Sequence, residues 1–292
     1  MTADSDAWEQ RGRRVRLGDH DVFVVDTPPT ERERHEPLLV IHGFPTSSFD
    51  FHLVVDELAR HRRVVLFDMV GFGLSDKPDL AYTVDLHADV AEAVISRLGI
   101  DRLSLLTHDL GDTIGGELLA RHTEGRWPVT ILRRVLTNGS IYIAMARLSL
   151  GQQFLLSLPD ERLPDDAPLD LDALAGALAL TFSPSSSVPS TELAGHCQLI
   201  TRNGGNSLLP RTIRYIEERR RREARFTGAI ERHASPLSVI WGVDDPIAVV
   251  AMADCLRAVR PDVALELLDG VGHYPMIESP DRFVEAVLGT LA

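Results

Sequence analysis

The sequence predicts an α/β protein: a mostly parallel central sheet flanked by helices, with one helical insertion that interrupts the βα alternation. Three observations carry this. Short apolar runs such as Leu38-Leu39-Val40-Ile41 suit strands buried on both faces of a parallel sheet. These runs alternate with stretches of helical periodicity, the pattern of helices laid against a sheet. From about residue 139 to 233 no clear strand pattern occurs, and helical segments stand there instead.

In order, two short strands open the chain at 14–17 and 22–25, joined by the turn Gly18-Asp19-His20-Asp21. The polar stretch 27–36, with Pro28-Pro29, reads as a surface loop. The buried strand 38–41 runs into His42-Gly43-Phe44-Pro45, and a helix is expected from about 50 to 60. A strand at 64–67 ends in the glycine-rich turn 68–78, and 84–98 has helical spacing with Gly99 as its C-terminal cap. The strand 103–107 enters a sharp turn, His108-Asp109-Leu110-Gly111. The helix after it puts Ile114, Leu118 and Leu119 on one face, while Gly115-Gly116 permit close packing. A strand follows at 131–136.

Within the insertion, helices are expected at 144–156, 171–180, 191–201 and 208–226, separated by proline- and serine-rich stretches. The run Arg219 to Arg222, after Glu217-Glu218, reads as a solvated helix face with i,i+4 pairing. Alternation resumes at Pro236 with strand 237–241, helix 249–259, strand 264–268 and a final helix at 281–291. The expected division is a core of 1–138 and 234–292 and a helical cap of 139–233. Such a cap would cover the C-terminal strand ends, where sites of α/β sheets form.

The bulk numbers bound the function. At 292 residues and 44% hydrophobic, the chain can bury a sizeable core. A net charge of −13 argues against nucleic acid or an anionic membrane as partner. Cys197 and Cys255 lack motif spacing, so neither a disulfide framework nor a metal site is expected, and no cofactor is called for. The polar N-terminus has no apolar signal core, and no run approaches the roughly 18 apolar residues of a membrane helix. The expected location is the cytoplasm.

Candidate chemistry gathers at strand ends. Asp109 follows the central strand, Asp244-Asp245 follow the strand ending at Gly242, and His273 follows the last strand. Nucleophile, acid and histidine in that order match the chain order of a hydrolase triad on a parallel sheet. Asp109 would be nucleophile and His273 the base that activates water. Asp245 would orient the histidine, preferred to Asp244 because it lies three residues past Gly242 and leaves loop to reach back. Backbone N–H groups of Phe44 and Leu110 would form an oxyanion hole, with Gly43 keeping side chains away from that backbone. For Asp109 alone, a solvated loop carboxylate or a helix N-cap is the competing reading. A carboxylate attacking an ester carbonyl would give a high-energy anhydride, whereas attack at a saturated carbon gives an alkyl ester that water can cleave. The expected substrate is a small apolar or amphipathic organic molecule with an epoxide oxygen or a halide as leaving group, plus water. A homodimer is left open.

These residues also carry a resemblance. His42-Gly43-Phe44-Pro45, the turn 68–78, His108-Asp109-Leu110-Gly111 and Gly272-His273 resemble the epoxide hydrolase and haloalkane dehalogenase branch of the α/β-hydrolase superfamily. More closely, residues 42–48, 71–78, Glu117-Leu118-Leu119, Thr137-Asn138-Gly139, Arg202-Asn203, Tyr215-Ile216 and His273-Tyr274-Pro275 are similar to the mesoderm-specific transcript protein group. The resemblance covers most of the chain. It implies an α/β-hydrolase fold with an inserted cap, an Asp109–His273–Asp245 triad and a covalent alkyl-Asp intermediate, with conversion of epoxide to diol as the first reading.

Dehalogenases typically bind halide through a tryptophan after the nucleophile and a side-chain N–H at the position of Phe44. Leu110 and Phe44 depart from that pattern. Leu110 also departs from the tryptophan usual in epoxide hydrolases and from the arginine of fluoroacetate dehalogenases. The resemblance implies a ring-opening tyrosine in the cap. Tyr215 is the candidate, Tyr142 the second and His196 the third. Asp112, unusual beside such a turn, would raise the Asp109 pKa if buried, or pair with an arginine. The alternatives are a haloalkane dehalogenase and, in another class, a non-catalytic ligand-binding protein on the same fold.

Overall fold

The computed structural model of the chain describes residues 5–32, 34–164 and 170–291. Among them, eight strands form one sheet: β1 Arg13–Leu17, β2 His20–Thr27, β3 Leu38–Ile41, β4 Val64–Phe67, β5 Arg102–His108, β6 Thr130–Thr137, β7 Leu237–Gly242 and β8 Ala264–Leu268. Their spatial order is β1-β2-β4-β3-β5-β6-β7-β8. β2 runs antiparallel to both neighbours, and every other pairing is parallel. The expected fold class is what the structure has. β3 and β4 are buried along their whole length, so both faces must be apolar. On β3, Leu39 and Ile41 point into one core cluster while Leu38 and Val40 point into the other, the two-residue alternation of a strand. The exposed edge strand β1 carries Arg13, Arg14 and Arg16, charges that discourage edge pairing with another chain.

The helices, in order, are α1 Ser5–Arg11, α2 Val55–Leu58, α3 Val84–Arg97, α4 Leu110–Thr123, α5 Leu150–Ser157, α6 Leu171–Ala179, α7 Ser190–Thr201, α8 Leu209–Thr212, α9 Tyr215–Arg232, α10 Ala251–Val259, α11 Pro275–Glu278 and α12 Pro280–Leu291. α3 starts where the Thr83 hydroxyl accepts the Leu86 N–H, and it stops before Gly99, whose φ of 67° ends the helix without a β-carbon penalty. No helix among the described residues is long and apolar enough to cross a membrane.

The helix expected at 50–60 is instead a 3₁₀ turn, Ser48–Phe51, and the single turn α2. Local polar bonds compete with a continuous helix there. The Ser47 side chain accepts the Phe49 N–H, Thr46 Oγ1 donates to Asp50 at 2.7 Å, and the Ser48 N–H donates to Asp68 at 2.8 Å. The stretch expected as one helix at 208–226 is split into α8 and α9, and α9 continues to Arg232. The arginine run is only partly a solvated face. Arg220 and Arg221 are exposed, but Arg219 is buried, and Arg222 pairs with Asp85 and with Glu218 at 2.6 Å.

The position of β3 between β4 and β5 is what builds a site. The chain leaves β3 to one side to make β4, then returns to its other side to make β5. The loops after β3 and β5 therefore diverge around a crevice at the C-terminal edge. Register sets Ile41 beside Thr107, and His108 beside Thr137, so residues 42–44, 109 and 138 emerge along one edge. α9 packs along α4, closely enough that a β-carbon on Gly116 would stand 2.6 Å from the Phe226 carbonyl oxygen.

Candidate active site

Between β5 and α4 the backbone turns at Asp109 with φ 51° and ψ −112°, outside the regions that L-residues favour. Two glycines make room for the bend. A β-carbon on Gly111 would meet the Ile41 carbonyl oxygen at 2.2 Å, and one on Gly43 would meet Asp109 Cβ at 2.6 Å. Asp109 is 4% exposed and its side chain makes no capping bond to α4, so it is neither a solvated loop carboxylate nor a side-chain cap of the helix. Its carboxylate accepts the Phe44 N–H, and Oδ2 stands 3.9 Å from His273 Nε2. Leu110 opens α4, where first-turn N–H groups have no intrahelical partner.

His273 Nδ1 lies 2.8 Å from Asp245 Oδ2. That carboxylate is fixed from three further directions. Oδ1 accepts the N–H groups of Ile247 at 2.7 Å and Ala248 at 2.9 Å, and Oδ2 also accepts Asn138 Nδ2 at 2.8 Å. Asp244 is exposed and accepts the Ser183 hydroxyl at 2.6 Å, away from the histidine. His42 supports the Phe44 loop: Nε2 accepts the Met69 N–H at 3.1 Å and Nδ1 lies 2.9 Å from the Gly43 carbonyl. Burial lowers the His42 pKa and keeps it neutral. The adjoining Phe44–Pro45 peptide is cis.

Electrostatics follow from burial and from these partners. Burial alone would lower the His273 pKa, but the charge and hydrogen bond of Asp245, with the charge of Asp109, raise it to about 9. Burial raises Asp109, against the pull of His273 and of Arg219. Burial lifts Asp112 well above the carboxylate range; Thr107 Oγ1 donates to its Oδ1, and its Oδ2 has no hydrogen-bond partner. Asp112 is buried beside Asp109, but the influence runs the other way from the expectation: the charge of Asp109 adds to the rise of Asp112, while Asp109 itself is raised by burial and by Asp245. Arg219 makes its hydrogen bond to Thr113 Oγ1 at 2.8 Å instead.

Tyr215 is buried with its ring 5.7 Å from Phe44 and the Arg219 guanidinium 5.1 Å from its centroid. Burial, then the charge of Asp109, pushes its hydroxyl pKa well up. Tyr142 is elsewhere. It donates to Glu231 at 2.9 Å, sixteen residues past Tyr215 on α9, or about 24 Å along a helix. His196 is also committed elsewhere: Nε2 is 3.0 Å from Glu192 and Nδ1 3.4 Å from Asp50. The His196 ring packs against Phe49 at 5.0 Å, between α7 and the turn after Pro45.

Two residues near the triad were given no role by the sequence. Asn138, at the end of β6, ties that strand to the loops after β7 and β8, with Oδ1 accepting the Gly242 N–H at 3.0 Å. Its position at the end of a strand was the available signal. Arg219 sat inside a charge run whose pattern does not distinguish its buried member. A cavity of about 320 Å³ opens above His273 and Tyr274, walled by Phe44 and Pro45 below and by Phe154 of α5 and Leu174 of α6 above.

Residues 36–280 match the model of the alpha/beta hydrolase fold family. The hydrolase LipZ of Mycobacterium tuberculosis is 35% identical, over 97% of this chain and 96% of its own. The mesoderm-specific transcript protein of Mus musculus is 32% identical, over 96% of this chain and 83% of its own. Among solved structures, the serine hydrolase CarC of carbazole degradation is similar with a TM-score of 0.73 at 21% identity, over 96% of this chain and 98% of its own. A meta-cleavage product hydrolase from Pseudomonas fluorescens IP01 gives a TM-score of 0.75 at 17% identity, covering 96% and 97%. The structural likenesses speak to the fold.

Proposed function

This chain belongs to the α/β-hydrolase fold family, and from that premise we propose that it is a hydrolase acting at saturated carbon through a covalent ester on Asp109, opening epoxides to diols. The observation that carries the reading is a buried carboxylate, not a hydroxyl, at the tip of the bend, with His273 Nε2 3.9 Å away and the Phe44 N–H on its oxygen.

In the first half-reaction Asp109 attacks the epoxide carbon. A C–O bond forms to the carboxylate, the ring C–O bond breaks, and the departing oxygen takes the Tyr215 proton. Esterification removes the Asp109 charge, one of those holding the proton on His273, so the imidazolium can return a proton to the tyrosinate. Neutral His273 then takes a proton from water as the hydroxide adds to Asp109 Cγ. Phe44 and Leu110 N–H groups hold the tetrahedral oxyanion. Collapse expels the diol oxygen, which takes the proton of the new Asp109 hydroxyl and restores carboxylate, imidazolium and phenol. Halide release is disfavoured, because the side chains of Phe44 and Leu110 donate no hydrogen bond to a leaving anion.

A panel of epoxides, haloalkanes and esters assayed with the purified protein tests this. Diol formation is expected from epoxides, lost in Asp109→Ala and slowed about 10²-fold or more in Tyr215→Phe. Halide release without diol would instead favour a dehalogenase. Ligand binding with no turnover of any class would favour a binding protein on this fold.

A further inference from the structure

The cavity over His273 has a neighbour along the two cap helices that line it. A second groove of about 540 Å³ adjoins it and shares six lining residues with it: Ser149, Gly151, Ala173, Ala177, Thr181 and Ile247. The neck between them is thus bounded mostly by small side chains. The polar groups around it are already occupied. Ser149 and Gln152 satisfy each other's backbone in the capping box of α5, and Asp170 caps α6 through the Ala173 N–H.

α5 carries no charged residue and α6 only Asp172. Leu150 and Leu180, on the outer groove, are 84% and 79% exposed. Large apolar side chains left in water beside a cavity mark a surface that an apolar ligand covers. Arg147 stands on the wall of the same groove, and no carboxylate among the described residues is ion-paired with it.

We propose that the outer groove is a subsite for an alkyl chain with an anionic head group. The chain passes through the neck, with one end at His273 and Asp109 and the head near Arg147. The reading of Asp109 as nucleophile enters only in deciding which end of the ligand reacts. The six residues that both cavities share place them side by side, which suits a single elongated molecule. Among the described residues that line the outer groove, Arg147 is the charged one, which argues for an anionic rather than a cationic head.

Calorimetric binding of decanoate, dodecanoate and 1-dodecanol to the intact protein tests the proposal without requiring turnover. Affinity should rise about fourfold for each methylene added, so dodecanoate should bind more than tenfold tighter than decanoate. Arg147→Gln should weaken dodecanoate up to roughly fivefold and leave dodecanol unchanged. Ala177→Trp, filling the neck, should remove the dependence on chain length. Leu180→Asp, at an exposed position where the fold is indifferent, should weaken both ligands. The proposal is overturned if dodecanoate does not bind, if Arg147→Gln affects both ligands alike, or if chain-length dependence survives both Ala177→Trp and Leu180→Asp. Diols formed from short epoxides without chain-length dependence would sink the subsite alone. Chain-length dependence without turnover of any epoxide would sink the nucleophile alone.

Discussion

Asp109 holds a backbone conformation that costs on the order of 1–3 kcal/mol, and the two close glycine contacts around it keep that bend in place. Strain of this kind lifts a side chain off the sheet edge, and burial then raises its pKa while His273 and Arg219 hold it down. The proton on His273 is the other half of the balance. Its folded-state pKa of about 9 lies above the ordinary 6.5, so its protonation favours the fold. That contribution is complete below pH 6.5 and is lost as the pH rises through about 9. Urea midpoints measured between pH 6.5 and 9 should therefore fall in the wild type and fall less in His273→Gln, and nitrogen NMR of Asp109→Asn should show the His273 pKa lowered. Asn138 has φ 51°, and its buried amide bonds to Asp245, Gly242, Gly272 and Thr137. Asn138→Gly keeps the backbone and removes these bonds. A loss of about 2 kcal/mol in urea unfolding is expected, with slower turnover as Asp245 loosens.

At the scale of elements, the contact that places Tyr215 and Arg219 is α9 on α4. Gly116 lets the two backbones approach, and the buried Glu117 carboxylate receives Arg121 at 2.9 Å and Arg225 at 2.6 Å. Gly116→Ala should force α9 outward and cost about 1–3 kcal/mol by thermal or urea unfolding, despite the gain in helix propensity. The close-packing role of Gly115-Gly116 was legible in the sequence, as were all eight strands, because buried parallel strands are apolar runs bounded by glycine and polar turns. The helices were legible where spacing and caps agreed, as from Thr83 to Gly99. They were misread where short polar side chains bonded to neighbouring groups, as from Thr46 to Asp50. α1 was missed because a seven-residue helix that buries only Ser5 and Trp8 has little periodicity to show. Arg219 was hidden for a related reason: four arginines in a row look alike until a partner helix buries one of them.

For the whole molecule, one sheet with a strand-order reversal brings loops 42–44, 109, 245 and 273 together from distant parts of the chain, and helices α5 and α6 roof the result. The division into a core of 1–138 and 234–292 and a cap of 139–233 is our proposal, with α9 reaching from one to the other: Tyr215 packs on Phe44, and it joins Phe226, Ala229 and Ile230 in the same core cluster over the sheet. The grouping of Asp109, Asp245 and His273 was legible because each follows a strand in the order the topology demands. The leaving-group side was not, because it depends on how the cap packs.

The central claim is a transient ester between Asp109 and a saturated carbon, and solvent oxygen reads it directly. After repeated turnover of an epoxide in heavy-oxygen water, mass spectrometry of the peptide containing Asp109 should find label in its carboxylate. Sustained turnover with an unlabelled Asp109 would mean that His273 delivers water straight to the substrate, and the account of this site would be wrong.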